Sequence, residues 1–366
     1  MRTRPRAVVD AVAFAAVAAV ALGLLLAPGA AAGQAPAGQT SAYGWTPPRT
    51  PWGHPDLQGA YTNKTITPIE RPADRAAQEF LTAEEAATLE REVVERNQEL
   101  LDRPAQRTEA TGSVDVGVDG APGFYNNFWL DRGTTSTGRT SIIVDPPDGR
   151  VPPLTPEAQR REDARAAARG MRGPADTWTD MDLNDRCMLW SVGPPMFPTG
   201  YNNNYLFLQT PDHVVIHVEM IHDTRIIPLD GRARIGPQVP QWLGQMHGRW
   251  EGDTLVVETT NLATTEEGSA FGNDPVRIRA ANGGAGGGIR IVERFTRVAE
   301  DTIRYQFTVE DPSRWTRPWS GELPMRTADG PLFEYACHEG NYSIANVLSG
   351  ERAREREAAA ETGGSR

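Results

Sequence analysis

The sequence predicts a mainly β fold, an antiparallel barrel or meander carrying two peripheral helices. Three observations predict it. Stretches of alternating polarity recur between tight-turn sequences. Only two segments carry both helix start and helix stop signals. No Gly-rich phosphate loop separates a strand from a helix, which disfavours a nucleotide-binding α/β sheet.

In chain order, Arg2, Arg4 and Arg6 precede an almost wholly apolar run from Ala11 to Ala27, broken by Pro28 and Gly29. Ala30-Ala31-Ala32 then supplies a small-x-small cleavage pattern. Residues 1–32 therefore read as a secretory signal peptide. The run is short for a membrane span, which needs roughly 20 residues. Export to the periplasm or the medium is expected, with no membrane span after cleavage. Residues 33–50, rich in Ala, Gly, Gln, Pro and Thr, read as a disordered linker. A single domain is expected over residues 51–350, its fold beginning near Trp52, and residues 351–366 read as a frayed tail.

Within the domain, Gly59-Ala60-Tyr61 marks the first strand. Thr82-Ala83-Glu84-Glu85 is a capping box opening a helix that runs to about Asp102, before Pro104. Ser141–Val144 is a strand ending at the turn Asp145-Pro146-Pro147-Asp148-Gly149. Thr155-Pro156 opens the second helix and Gly170 closes it. Tyr205–Gln209 and His213–Ile221 flank Thr210-Pro211-Asp212 as a hairpin. Trp250-Glu251-Gly252-Asp253-Thr254 is a tight turn into Leu255-Val256-Val257. Residues 281–288 form a Gly-rich loop. Ile289–Val298 pairs across Ala299-Glu300-Asp301 with Thr302–Glu310, whose Ile303, Tyr305, Phe307 and Val309 share one face.

The chain has 37 Lys and Arg against 48 Asp and Glu, a formal net charge of −11, with the arginines scattered among acids. A nucleic-acid partner, which needs a basic stripe, is disfavoured, while the charge speaks neither for nor against a small-molecule ligand. Cys187 and Cys337 are the only cysteines. In an oxidising compartment such a pair is expected to bond. Closing so long a loop is worth roughly 4–5 kcal/mol in the chain-entropy model.

Chemistry concentrates in two places. On the strand His213–Ile221, Val214, Ile216, Val218 and Met220 form an apolar face, and His213, His217 and Glu219 lie opposite. His222, Asp223, Thr224 and Arg225 follow at its end. One reading is a solvated outer face. A second is an acid–base site in which His222 moves a proton, Glu219 assists and Arg225 binds an anion. A third is a metal site of His217 and Glu219 with His213 or His222, although no HExxH or CxxC pattern supports it. The second place is Tyr335-Ala336-Cys337-His338-Glu339-Gly340-Asn341-Tyr342, where His338 and Glu339 adjoin the expected disulfide. Tyr205, Trp315, Trp319, Asn341 and Tyr342 are candidate walls of a ligand pocket, as is the aromatic stretch from Trp190 to Tyr201, although core or lid packing is the commoner use of such Trp-rich stretches. No G-x-S-x-G nucleophile is present.

Several phrases together resemble a large group of uncharacterised secreted bacterial proteins. They are His54–Gly59, Ser141–Arg150, Asn202-Asn203-Asn204-Tyr205, Glu219–Gly231, Gly248–Leu255, Val309-Glu310-Asp311-Pro312, Trp315-Thr316-Arg317-Pro318-Trp319 and Ala336–Tyr342, so the resemblance spans nearly the whole mature chain. Glu219, His222, Arg225, His338 and Glu339 belong to the group's pattern, whereas His213 and His217 do not. Where the group reads Gly-Asp-Ser-Arg before Gly248, this chain has Gly244-Gln245-Met246-His247. Gly59-Ala60-Tyr61 also weakly resembles the Gly-x-Trp of lipocalins. The expectation is an exported enzyme doing cofactor-free acid–base chemistry (lyase, isomerase or hydrolase) on a small, partly apolar or aromatic molecule. The alternatives are a lipocalin-type binding protein for a lipophilic ligand and a metal-dependent hydrolase.

Overall fold

The computed structural model describes residues 44–363 apart from 103–129, 132, 174, 182, 184, 190–192, 237–238 and 264–287. The signal peptide, most of the linker, the loop at 281–287 and Trp190 lie outside the described residues. The described residues from Trp45 onward belong to one compact unit.

Ten strands form one antiparallel sheet. They are β1 (Gly59–Thr62), β2 (Ile143–Asp145), β3 (Asn204–Gln209), β4 (His213–Val218), β5 (Thr224–Pro228), β6 (Gln245–Glu251), β7 (Thr254–Thr260), β8 (Arg290–Ala299), β9 (Thr302–Glu310) and β10 (Trp319–Thr327). Nine run in the order β5-β4-β3-β1-β10-β9-β8-β7-β6, and β2 pairs with β10 off this path. The hairpins β3–β4, β6–β7 and β8–β9 stand where the alternating segments and turn residues place them.

The sheet curls until its edges β5 and β6 nearly meet, giving a nearly closed barrel. Gly248 makes that approach possible. A Cβ there would lie 2.8 Å from the Ile227 side chain and 2.7 Å from that of Leu229, so any larger residue holds the two edges apart. On β9, Ile303, Tyr305, Phe307 and Val309 are buried while Arg304, Gln306, Thr308 and Glu310 are only half-buried. Phe197, Phe307, Trp315 and Trp319 fill part of the interior through edge and stacked contacts, with ring centroids 5.3–6.5 Å apart.

Helices α1 (Ala83–Asp102) and α2 (Pro156–Gly170) match the two expected ones. The Thr82–Glu85 box forms in both directions, at 2.8 and 3.2 Å. Thr155 caps α2 by accepting from the Ala158 amide at 3.1 Å. A third helix, α3 (Ser343–Gly363), corrects the expected disordered tail. Residues 351–363 lack an apolar stripe, but Ala, Glu and Arg are strong helix formers. Spacing-three pairs between Arg352 and Glu355 and between Arg354 and Glu351 support them. The linker boundary also moves. The ordered chain includes Trp45 to Thr50, because Thr50 is buried and Arg49 pairs with Asp253 at 2.6 Å.

Candidate functional site

β4 ends at Val218, three residues before the expected boundary. Glu219 turns into helical backbone (φ −64°, ψ −42°), and Ile221 and His222 both adopt left-handed conformations at φ 56° and 51°. A β-branched residue at positive φ is strained, and such strain gathers at functional sites. The turn is held by the Val218 amide donating to the Asp223 carbonyl at 2.8 Å and the Glu219 amide donating to the Asn204 carbonyl at 3.0 Å. Glu219 therefore does not share an outer face with His213 and His217. It is folded inward and only 3 % exposed.

Two asparagines hold its carboxylate. Asn202 Nδ2 donates to Oε1 at 2.8 Å and Asn204 Nδ2 to Oε2 at 2.6 Å. Asn203, between them, points elsewhere. Its Oδ1 accepts from the Thr199 amide at 2.6 Å and its Nδ2 donates to the Asp131 carbonyl at 3.0 Å, fixing the loop that carries the other two. In the sequence these asparagines stand out only as the phrase Asn202-Asn203-Asn204-Tyr205, with no signal that two of them hold Glu219.

Glu219, Asn202 and Asn204 form one wall of an open cleft of about 790 Å³, within the usual range of ligand sites. The opposite wall is the segment after β10, with Phe333, Tyr335, Glu339 and Asn341. The two polar clusters thus meet. A disulfide between Cys187 and Cys337 ties the walls together. His222 Nδ1 lies 3.1 Å from the Tyr335 carbonyl oxygen. A carbonyl only accepts, so Nδ1 carries the proton and Nε2 is left as the basic nitrogen. The His338 ring stands 6.3 Å from that of His222, centroid to centroid, at the rim between Cys337 and Glu339. Tyr342 is 72 % exposed and outside the cleft.

The cleft is acidic. Asp131, Asp185, Glu219, Asp329, Glu334 and Glu339 line it, and among its described lining residues there is no Lys, Arg or His. Such a surface attracts cations and repels anions. Its carboxylates are nonetheless dispersed. Among the described residues no three His, Cys, Asp or Glu side chains stand close enough to hold one metal ion. His217 instead pairs with Thr224 Oγ1 at 2.9 Å, and His213 Nε2 accepts from Arg232 at 3.2 Å.

Arg225 requires a correction. It points into the barrel, where Glu293 accepts from both terminal guanidinium nitrogens, and both side chains are fully buried. Tyr305 donates to Glu293 at 2.8 Å and accepts from the Met196 amide at 2.9 Å. Burial, reinforced by the Glu293 charge, holds the Tyr305 phenol well above its ordinary range, so it stays a donor. A guanidinium already occupied this way does not bind a ligand's anion. Tyr205, Trp315 and Trp319 are likewise core residues, at most 2 % exposed, rather than walls of an open pocket. Glu293 was missed as the partner of Arg225.

Beside His222, burial pushes the Asp223 carboxyl up to about 6 from 3.8, with the His222 charge opposing the rise. The raised value means the folded state holds this proton more tightly than the unfolded chain. The contribution to stability is complete below pH 3.8 and is lost as pH rises through about 6. Asp223→Asn removes the penalty. We expect it to stabilise the protein by on the order of 2–3 kcal/mol at pH 7.5 and to change nothing at pH 3.5. Thermal melts at the two pH values check this, and equal shifts at both would show that burial of the charge is not the cause.

No family model, curated protein or solved structure matches the chain.

Proposed function

We propose that this is an exported enzyme whose cleft binds a small molecule with a positive charge beside an apolar body, and that His222 performs acid–base chemistry on it without a cofactor. One observation carries the reading. Two polar clusters more than a hundred residues apart are joined into one cleft, with His222 hung on the Tyr335 carbonyl by a strained turn. Glu219 is the anchor for the cation. It is buried and held by two neutral amides, and among the described residues no cation pairs with it. Buried carboxylates are ordinarily paired, so a ligand's ammonium or guanidinium group is the matching partner. Tyr201, Phe333 and Tyr335 supply the apolar and cation–π surface. Because the carboxylates do not converge, an organic cation suits them better than a metal ion. His222 Nε2 is the general acid or base, with His338 and Glu339 beside it at the rim.

Calorimetric titration with arylalkyl-ammonium and -guanidinium compounds, set against carboxylates of the same shape, tests the binding step. Cations should bind and the matched anions should not. Glu219→Gln should weaken cation binding by about 10- to 100-fold, as loss of a charge-assisted hydrogen bond implies. Equal binding of anions and cations, or full affinity in Glu219→Gln, would overturn the assignment.

A further inference from the structure

We propose that the Cys187–Cys337 disulfide is a redox latch on the cleft: its reduction by an exported dithiol releases the segment after β10 and opens the site while the barrel stays folded.

The barrel is complete before this segment begins. Its last sheet contacts are the Thr327 amide on the Asp301 carbonyl and the Ala328 amide on the Ala60 carbonyl. From Ala328 to Glu361 no described residue is buried, and Phe333 is 71 % exposed. Tyr335 packs against the edge of the core. The arm therefore adds a cleft wall and almost nothing to the core. Among the described residues its polar ties to the rest of the domain include His222 on the Tyr335 carbonyl, Asn341 Nδ2 on the Asp185 carbonyl at 3.1 Å, and Arg352 on the Ala175 and Asp176 carbonyls. Such hydrogen bonds are worth about 1 kcal/mol each, against a conformational entropy cost of about 1–2 kcal/mol for every residue ordered. The covalent bond is what keeps the wall in place.

The two sulfurs are not equivalent. Cys187 is buried between the core residues Leu183 and Leu189, whereas Cys337 is partly exposed on the arm. Asn341 Nδ2 donates to Cys187 Sγ at 3.2 Å. An incoming thiolate of the dithiol attacks Cys337 Sγ. The Cys187–Cys337 bond breaks, and Cys187 leaves as a thiolate stabilised by the Asn341 amide. The dithiol's second thiolate then attacks the mixed disulfide. Cys337 is released as a thiolate that takes a proton from water, and the two electrons come from the dithiol, which becomes a disulfide.

The functional meaning rests on the cleft being the working site, but release of the arm is testable without any ligand. Full-length mature protein is reduced with a thioredoxin-type dithiol in buffer, and hydrogen exchange is followed by mass spectrometry. Amides of residues 329–345 should exchange at least about tenfold faster, while those of β8 and β9 keep their protection and the near-ultraviolet dichroism persists at 25 °C. Reoxidation should restore the protection, and the Cys187→Ser/Cys337→Ser double variant should match the reduced protein. Asn341→Ala should slow the reduction. Unchanged exchange in the arm, loss of protection in β8 and β9 together with it, or resistance of the bond until the barrel unfolds would overturn the latch. Failure of cation binding with normal arm release would count against the cleft reading alone.

Discussion

Glu293→Ala is expected to cost about 3–5 kcal/mol, and Arg225→Ala about as much. A domain of this kind has only roughly 5–15 kcal/mol of stability, so either change brings the barrel close to unfolding at 37 °C. The cost lies less in the lost attraction than in what remains. Arg225 and Glu293 have no exposed side-chain surface, and each is the other's compensating charge. Removing one leaves a buried ion facing Met246, Tyr305 and the aromatic interior. Removing both differs, because apolar replacements of similar volume avoid the desolvation penalty altogether. Arg225→Met/Glu293→Leu should therefore be much milder than the sum of the single changes. Urea unfolding of the four proteins closes the cycle. Single-variant costs under 1 kcal/mol, or simple additivity, would refute the assignment. The result also bears on activity assays, since an inactive Arg225→Ala protein is expected to be an unfolded one and would not be evidence for anion binding.

That pair was legible in the sequence, though only by carrying the alternation further. On β5, Ile227 pairs with Val214 of the apolar face, so Arg225, two residues earlier, shares its side. On β8, Ile291 and Phe295 are buried and Glu293 lies between them with the same parity. A single charge of each sign on two inward faces is the mark of a buried pair. Register also placed the asparagine clamp within reach. Tyr205 opposes Val218 across the β3–β4 hairpin, so Asn204 is the next residue towards Glu219. The turn at Ile221 and His222 was not legible, because neither residue type signals a left-handed backbone as Gly or Asn does. Helix α3 was hidden for a different reason. It lacks the apolar periodicity by which packed helices are recognised, and its helicity comes from propensity and side-chain pairs.

Turnover of a cationic substrate should fall by roughly 10²–10⁴-fold in His222→Ala, the usual contribution of a positioned acid–base group. Alanine alone does not prove the point, because it also removes the bond to Tyr335 and leaves a non-glycine residue at φ 51°. His222→Asn separates these effects. Asparagine tolerates left-handed backbone, and its side-chain amide can donate to the Tyr335 carbonyl, but it cannot exchange a proton near neutral pH. We expect His222→Asn to keep the melting temperature and cation affinity of the wild type while losing turnover as fully as alanine. Added imidazole should restore part of the rate in His222→Ala, where the side chain is missing, and none in His222→Asn, where the space is filled. Full turnover in His222→Asn would make His222 a structural latch for the arm. The proton transfer would then belong to a group that lines the cleft, with Glu339, next to His338 in sequence, the first candidate.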